Sequence, residues 1–340
     1  MLKNGKTKKV VVTGGAGFIG SHLVDALVGE GYLVVVIDNL STGKRSQVNK
    51  AVRFVKADIR DLKKIKPYFK GAELVFHTAA QARMQPSIKD PTATLENNVS
   101  GTLNILLAAR DAGVKRVIYS ASSSFYGDQK TVPYHEEMTS NFKNPYALFK
   151  YVGEQLCKLF SDLYGLETVS LRFFHVYGPR QLSASTASAY ATVIGIFLKQ
   201  AKQGKPLTIV GDGNMCHDFT HVYDIVRANM LAAQSKKVGK GEVINIGTGK
   251  NYSINEVAAM ILAPNTRQLL GSMQAKTVAF ESAQPEVILA AAIKDNRAKY
   301  IPFRINESQR SLANNSKARD LLGWKPTISF EEGLAMLKSS

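Results

Sequence analysis

The feature that most constrains the fold is a glycine-rich turn near the start of the chain. Gly14, Gly17 and Gly20 recur at intervals of three residues. They follow the apolar run Lys9–Thr13 and open the helical pattern Phe18–Gly29. This spacing lets the backbone turn sharply, approach a pyrophosphate and present the amide groups of a helix N-terminus to it. A strand, this turn and a helix in that order predict the first unit of a dinucleotide-binding sheet.

The alternation of strand and helix patterns continues as far as about residue 175. Repeated strand–helix–strand units predict an α/β fold of Rossmann type, a doubly wound parallel sheet with helices on both faces. Beyond that point glycines and turns become frequent, which predicts a smaller α/β lobe that binds the substrate. We expect a cofactor-binding domain at 1–175, to which later segments return, and the lobe at 176–340. Strands are predicted at 9–13, 33–37, 52–56, 73–77, 116–120 and 168–171, and helices at 18–29, 91–112 and 145–164.

Composition excludes several classes of protein. The 340 residues are 45% hydrophobic and 21% charged, which is ordinary for a globular protein and unlike a disordered or fibrous one. Two cysteines cannot build a disulfide framework, and they fit a reducing, cytoplasmic compartment. Glycines interrupt the first apolar run, so neither a signal peptide nor a membrane span is predicted. The net charge of +17 is scattered and forms no recognisable nucleic-acid module, so we expect no nucleic-acid partner.

An acidic residue favours NAD as the cofactor. Asp38 ends the second predicted strand, eighteen residues after Gly20. A carboxylate at this place binds both ribose hydroxyls of NAD and repels the additional phosphate of NADP. Lys44 and Arg45 lie nearby and weigh against that preference.

A tyrosine and a lysine supply the predicted catalytic pair. Tyr146 and Lys150 are four residues apart at the start of a predicted helix, so they share a face. An ammonium beside a phenol lowers the pKa of the tyrosine and makes it a general base. Ser122 and Ser124 follow a predicted strand and lie at the carboxyl edge of the sheet, where such folds bind ligands.

Together these segments resemble the extended short-chain dehydrogenase/reductases that modify nucleotide-linked sugars, over nearly the whole chain. The motifs are TGGAGFIG, DNL, ADIRD, FHTAAQ, NNVSGT, ASSSFYGD, NPYALFK, LRFFHVYGPRQ, PLTIVGDG and LLGWKP. The resemblance implies that Tyr146 and Lys150 also contact the cofactor. It implies NAD contacts at Gly14, Gly17, Phe18, Ile19, Gly20, Asp38, Asn39, Ser41, Thr42, Gly43, Asp58, Ile59, Thr78, Ala79, Ala80, Gln81, Asn98 and Phe174.

Within that family, the serine region is most similar to UDP-sugar 4-epimerases such as UDP-glucose and UDP-N-acetylglucosamine 4-epimerase. Ser123 and Ser124 stand where the similar 4,6-dehydratases carry an acidic pair that removes a hydroxyl group. The implied reaction starts when Tyr146 takes the proton of the sugar O4. Hydride then passes from C4 to NAD and returns to the opposite face of the 4-keto sugar. Ser122 positions the hydroxyl group.

The resemblance also implies how the UDP-sugar is bound. Arg304 matches one family arginine that grips the diphosphate, whereas His217 replaces another arginine and His175 replaces an asparagine. We hypothesise that substrate affinity rises as pH falls through the range in which histidine titrates. Ser311 stands at a position where a small residue admits N-acetyl groups. Substrate contacts are expected at Ser122, Tyr146, His175, Val193, Thr208, His217, Arg304 and Ser311.

Several alternatives remain at the level of sequence. Arg310 would suit a sugar carboxylate, which favours a UDP-uronate epimerase, and a decarboxylase, a dehydratase and a 2-epimerase stay open. A non-catalytic NAD-binding regulator is disfavoured because the tyrosine, lysine and serine are intact. Cys216, His217, Asp218 and His221 lie in a predicted strand and turn, and no metal site is predicted. The resemblance implies a homodimer through the helices at 91–112 and 145–164.

Overall fold

The protein is built around a seven-stranded parallel sheet. The structure, a computed structural model, describes residues 7–82, 84–181, 192–263, 284–303 and 308–339. The strand order in the sheet is β11-β6-β5-β4-β1-β2-β3. Its strands are β1 (Lys9–Thr13), β2 (Leu33–Asp38), β3 (Arg53–Lys56), β4 (Ala72–His77), β5 (Arg116–Ser122), β6 (Glu167–Phe173) and β11 (Lys240–Ile246).

Helices cover both faces of this sheet, as the doubly wound fold requires. One face packs against α1, α8 and α11 in a core that includes the fully buried Trp324. The other face packs against α2, α5 and α6. These helices are α1 (Phe18–Gly29), α2 (Leu62–Ile65), α5 (Gly101–Asp111), α6 (Pro145–Tyr164), α8 (Val222–Gln234) and α11 (Ser316–Leu322). The Rossmann-type fold class predicted from the sequence is therefore confirmed.

Local signals explain why the central helix α6 has sharp ends. The Asn144 side chain accepts a hydrogen bond from the Ala147 N–H at 3.0 Å, and Pro145 occupies the first turn. Gly165 ends the helix with φ of +65°, a conformation that favours glycine. The predicted helix at 91–112 is instead interrupted: α4 (Pro91–Leu95) is followed by a π-helical turn (Glu96–Ser100) before α5.

The second half of the chain contributes to both parts of the molecule. Its strand β11 pairs with β6 at one edge of the large sheet, so the chain returns to that sheet. A separate core holds the lobe together and includes Phe197, Phe219 and Phe330. Its elements are α7 (Val193–Lys202), α9 (Ile254–Leu262), α10 (Pro285–Lys294), α12 (Phe330–Lys338) and the strand pairs β7 (Val176–Tyr177) with β10 (Thr220–His221), β8 (Leu207–Val210) with β13 (Ala298–Ile301), and β9 (Cys216–His217) with β12 (Tyr252–Ser253).

The stretch at 264–300, which carries no motif, is described in part. Residues 285–294 form α10 and residues 298–301 form β13, whereas 264–283 lie outside the described residues. β13 runs parallel to β8 and completes the small sheet of the lobe. In the ranges given above, no helix is both long and apolar enough to cross a membrane.

Candidate active site

The glycine-rich turn packs too tightly for side chains at two of its positions. Gly14 has φ of +72°, and a Cβ there would lie 2.6 Å from the backbone nitrogen of Ala79. A Cβ at Gly20 would collide with the carbonyl oxygen of Gly14. The helix that follows has no side-chain cap, and the first residues of α1 line a large cleft. Its N–H groups and helix dipole therefore suit a pyrophosphate, which fits a dinucleotide.

Asp38 lies at the carboxyl end of β2 and faces the same cleft. Its Oδ2 accepts a hydrogen bond from the Ala16 N–H at 2.9 Å, and its Oδ1 accepts one from the Leu40 N–H at 2.8 Å. Burial raises the pKa of this carboxyl, and the two backbone donors oppose that rise. The carboxylate thus holds the turn in place and puts an acceptor where the ribose of NAD is expected.

The structure brings most of the predicted cofactor residues to this cleft but not all of them. Asp58 faces away, where Arg60 and Asn39 bind it and hold its pKa at about 2. The side chain of Asn98 exchanges hydrogen bonds with the backbone of Gln81 and fixes that loop. Gly43 packs on Ala16, and Phe174 is buried in an aromatic cluster. The cleft is lined by Gly14, Gly17, Phe18, Ile19, Gly20, Asp38, Asn39, Ser41, Thr42, Ile59, Thr78, Ala79 and Ala80.

Two serine hydroxyls lie in the cleft where β5 ends. The hydroxyl groups of Ser122 and Ser124 are 2.8 Å apart, and the Ser124 N–H donates to Ser122 Oγ at 3.2 Å. The short 3-10 turn Ser123–Phe125 creates this arrangement. A hydroxyl that is both donor and acceptor can hold a substrate hydroxyl in either protonation state.

Tyr146 and Lys150 lie at the start of α6. They are distant from these serines in sequence but belong to the same site. Tyr146 lines the cleft, and Lys150 is buried behind it at 4% exposure. The Lys150 ammonium donates to the Ser120 carbonyl at 2.7 Å and lies 4.8 Å from the centre of the Tyr119 ring. Burial lowers the pKa of Lys150 to about 8, and Glu154 opposes that shift. Lys150 therefore keeps its positive charge at neutral pH, as a tyrosine base requires.

The two histidines predicted to bind substrate stack on each other across the lobe side of the cleft. Their ring centres are 4.0 Å apart and the planes differ by 17°. His175 Nδ1 lies 3.3 Å from the hydroxyl of Ser311, which also accepts from the Asp218 N–H at 3.3 Å. Burial lowers the pKa of His217 to about 4, so its imidazole is neutral at pH 7. The hypothesised titration thus lies below the usual range of histidine.

The other predicted substrate residues divide into two groups. Val193, Thr208 and Ser311 line the cleft together with His175 and His217. Arg304 lies outside the described residues. The described ranges contain no group of three or more histidine, cysteine or acidic side chains placed to hold a metal ion.

The cleft has further lining residues that the sequence did not reveal. Lys143 lies beside the tyrosine helix, and its ammonium is 3.4 Å from the carboxylate of Asp128. Gln85 lines the cleft from the short helix α3 (Met84–Lys89), and Gln181 and Ser308 line it from positions outside the helices and strands. Of these residues, Lys143 alone could have been predicted from the sequence as part of the site, because it precedes Tyr146 by three residues.

Comparison with known proteins identifies the group to which this site belongs. The model of the NAD dependent epimerase/dehydratase family matches residues 10–247. The chain belongs to this family. It is an enzyme family that depends on NAD, in agreement with the glycine-rich turn, Asp38 and the uncapped helix. UDP-glucose is bound in a similar solved structure, the UDP-glucose 4-epimerase of Thermotoga maritima, and UDP-glucose with NAD is bound in the similar protein MoeE5.

Relatives within the NAD-dependent epimerase/dehydratase family have several activities. The UDP-glucose 4-epimerase of Mycolicibacterium smegmatis is 35% identical, with 96% of each chain covered. The UDP-glucuronate 4-epimerase of Thermodesulfobacterium geofontis is 32% identical over 95% of this chain and 93% of that protein. The UDP-N-acetyl-alpha-D-glucosaminuronate decarboxylase of Bacillus cytotoxicus is 33% identical over 96% and 95%.

A similar solved structure is the UDP-N-acetylglucosamine 4-epimerase of Methanobrevibacter ruminantium in complex with UDP-N-acetylmuramic acid. It superposes with a TM-score of 0.83 at 34% identity and covers 98% of each chain. The family, its fold and its cofactor are thereby established, and the activities of the relatives leave the individual reaction to be argued from this chain's own residues.

Proposed function

We propose that the protein is a UDP-sugar 4-epimerase that interconverts UDP-N-acetylglucosamine and UDP-N-acetylgalactosamine, UDP-glucose and UDP-galactose, or both pairs. The observation that carries the proposal is that no described residue lining the catalytic end of the cleft has an acidic side chain. Among the described residues that line it, Asp38 is the sole carboxylate, and it lies at the cofactor end. Removal of a hydroxyl group needs a nearby acid, whereas epimerisation needs only a reversible base and a hydride carrier.

The tyrosine, lysine and serines have complementary parts in this reaction. Tyr146, as a phenolate, takes the proton of the sugar O4 as hydride leaves C4, and the buried ammonium of Lys150 favours that phenolate before the transfer. Ser122 and Ser124 hold the oxygen as it changes from hydroxyl to carbonyl and back. NAD supplies a reversible hydride acceptor, so no net oxidation occurs. Proton return from Tyr146 completes the cycle.

The 4-keto sugar must rotate between the two half-reactions so that hydride returns to its opposite face. This rotation requires an anchor outside the sugar itself. We place the diphosphate near His175 and His217, with Arg304 as a third contact. The two imidazoles and the serine hydroxyl offer hydrogen-bonding groups there. The neutral imidazole of His217 holds the diphosphate less rigidly than an arginine fork at that position would, which suits a substrate that reorients about this point.

The small side chain of Ser311 supports acceptance of an N-acetyl group. Ser311 is 4% exposed, lines the cleft and is held by His175 and the backbone of Asp218. A larger side chain at this position would enter the cleft. We therefore infer that the enzyme prefers UDP-N-acetylglucosamine to UDP-glucose.

Proton NMR of the anomeric signals tests the proposed function. The purified protein is incubated separately with UDP-N-acetylglucosamine and UDP-glucose, without added reductant. We expect galacto products from both, with the faster rate for the N-acetylated sugar. Failure of both sugars to react, in protein that contains NAD, would refute the proposal.

A second candidate is a uronic-acid substrate, and one contact favours it. The Lys143 ammonium lines the cleft close in sequence to the catalytic helix and is only loosely paired with Asp128, at 3.4 Å. A sugar carboxylate could pair with this cation, as in a UDP-uronate epimerase or decarboxylase. Incubation with UDP-glucuronic acid distinguishes the candidates: a galacto-configured uronate indicates the epimerase, and loss of carbon dioxide indicates the decarboxylase.

We also propose that the protein is a homodimer. Leu148, Leu159 and Leu163 are 40%, 47% and 64% exposed, and their spacing places them along one face of α6. Leu103 on α5 adds an exposed apolar side chain at 37%. Burial of such a face against a second copy would form a four-helix contact. Light scattering should give twice the chain mass, and Leu159→Glu combined with Leu163→Glu should give the single mass.

A further inference from the structure

A buried ion pair next to Lys150 has no part in the mechanism above. Glu154 follows Lys150 by one turn of α6 and is 1% exposed. Its carboxylate accepts two hydrogen bonds from the guanidinium of Arg172 on β6, at 2.9 and 2.8 Å. Two charges are thus withdrawn from water beside the catalytic lysine. Burial of this kind is costly and rarely stabilises a fold by itself, so a functional reason is worth seeking.

The guanidinium of Arg172 is held on its other sides as well. It donates to the Tyr126 hydroxyl at 3.0 Å, and that hydroxyl donates to Asn245 Oδ1 at 2.7 Å. Its central carbon lies 3.6 Å from the centre of the Phe125 ring. Arg172 therefore fixes the Glu154 carboxylate in one orientation.

The charge on Lys150 depends on this carboxylate. In the described part of the chain no acid pairs directly with the Lys150 ammonium, whose hydrogen bond goes to the Ser120 carbonyl. Burial lowers the pKa of Lys150, and the negative charge of Glu154 is the largest influence that raises it. Burial also raises the pKa of Glu154, while Arg172 lowers it more strongly than Lys150 does. Arg172 thus keeps Glu154 ionised, and Glu154 keeps Lys150 protonated.

Other titratable groups around the pair are neutral. Burial raises the pKa of Cys157 on α6 to about 12 and that of Tyr119 on β5 well above its usual value. Burial lowers the pKa of His77 on β4 to about 3. Burial also raises the pKa of Tyr126, which follows β5. Apart from burial, the electrostatic influence on Lys150 near neutral pH therefore comes chiefly from Glu154.

We infer that Glu154, held by Arg172, is a positioning residue that keeps the Lys150 ammonium charged and thereby sets the pH at which Tyr146 becomes a base. The inference rests on the proposed roles of Tyr146 and Lys150. Without the Glu154 charge, Lys150 loses its proton at a lower pH. Tyr146 then ionises beside a neutral amine, which requires a higher pH.

Tyrosinate absorbance of the NAD-bound protein tests this inference without any sugar substrate. Subtraction of the same titration in Tyr146→Phe isolates the signal of Tyr146. In Glu154→Gln we expect the midpoint to rise by about one pH unit or more, the size of shift that a nearby charge causes. Glu154→Asp keeps the charge and should return the midpoint toward that of the parent protein.

A second arginine–glutamate pair, which also involves β6, provides a control. Arg116 on β5 forms an ion pair with Glu167 on β6 at 2.6 Å, and its guanidinium also donates to backbone carbonyls of 232–238. Glu167→Gln removes a carboxylate from an arginine partner away from the cleft. We expect the Tyr146 midpoint to be unchanged in this variant, because a general loss of stability does not move it.

The double variant Glu154→Gln, Arg172→Met guards against misfolding of the single variant, because it leaves no unpaired buried charge. It should also shift the midpoint upward. A parent-like midpoint in folded Glu154→Gln or in the double variant would overturn the inference. A shifted midpoint in protein that converts no UDP-sugar would leave the inference standing and reject the proposed epimerase function instead.

Discussion

The two walls of the cleft differ in how they carry charge. The cofactor wall consists of the glycine-rich turn, Asp38, the β5 serines and the Tyr146–Lys150 pair, and it holds a fixed carboxylate and a fixed ammonium. The lobe wall consists of His175, Thr208, His217 and Ser311, and it offers imidazoles and hydroxyls. The difference indicates a division of roles: we expect the wall with charged groups to carry the reaction chemistry, and the other wall to bind the substrate through imidazole and hydroxyl groups.

The largest expected effect comes from the cofactor wall. Tyr146→Phe removes the base and should lower kcat by about 10²–10⁴-fold, the usual contribution of a general acid–base group. Tm should remain that of the parent protein, since the side chain lies at the cleft surface. Steady-state rates with UDP-N-acetylglucosamine measure the effect. Full activity in this variant would exclude the base role of Tyr146.

Two glycine substitutions, one in the glycine-rich turn and one at the end of α1, should differ in their effect on NAD binding. Gly14→Ala places a methyl group 2.6 Å from the Ala79 backbone at φ of +72°, so we expect loss of bound NAD and a lower Tm. The backbone conformation alone costs about 1–2 kcal/mol. Gly29→Ala is the control: a Cβ there meets no atom within 4 Å, and the change should be neutral or slightly stabilising. Retention of NAD by Gly14→Ala would contradict the proposal that the glycine-rich turn binds the pyrophosphate of NAD.

On the lobe wall, Ser311→Tyr should change selectivity rather than chemistry. The larger side chain would fill space next to His175, so kcat/KM for UDP-N-acetylglucosamine should fall by about 10-fold or more relative to UDP-glucose. Paired assays of the two sugars give this ratio directly. An equal loss for both sugars would show that Ser311 does not select at this position.

The smallest effect concerns pH. The pKa of His217 lies near 4, below its ordinary value, so the imidazole is neutral throughout pH 6–8 and gains a proton only in more acidic solution. KM should therefore stay constant between pH 6 and 8 to within about twofold. A KM that falls as pH drops through this range would support the titration hypothesised from the sequence, provided that His217→Gln abolishes the trend.

The cofactor wall could be predicted from the sequence because its signals are local. The bounds of β1, α1 and α6 were predicted to the residue, since each begins or ends at a glycine, a proline or a capping side chain within a few residues. The break of the 91–112 helix at Glu96–Ser100 was missed, because the apolar helical spacing runs on through it and the one local signal, Gly101, lies at its end.

The remainder depends on contacts between distant parts of the chain. β11 was not predicted as the edge strand of the large sheet, because the frequent glycines and turns after about residue 175 predicted a separate lobe there. The stacking of His175 on His217 joins residues forty-two positions apart. Glu154 carries only the weak signal of an acid one turn after Lys150, and its importance appears when Arg172 is seen to bury it.

The central claim, reversible oxidation at C4 with hydride return to the same carbon, is tested most directly with UDP-N-acetylglucosamine that carries deuterium at C4. NMR and mass spectrometry of the product locate the label. We predict UDP-N-acetylgalactosamine with deuterium retained at C4 and no deuterium or solvent hydrogen exchanged at C3 or C5. Loss of the C4 label, or incorporation of solvent hydrogen at C5, would contradict the account.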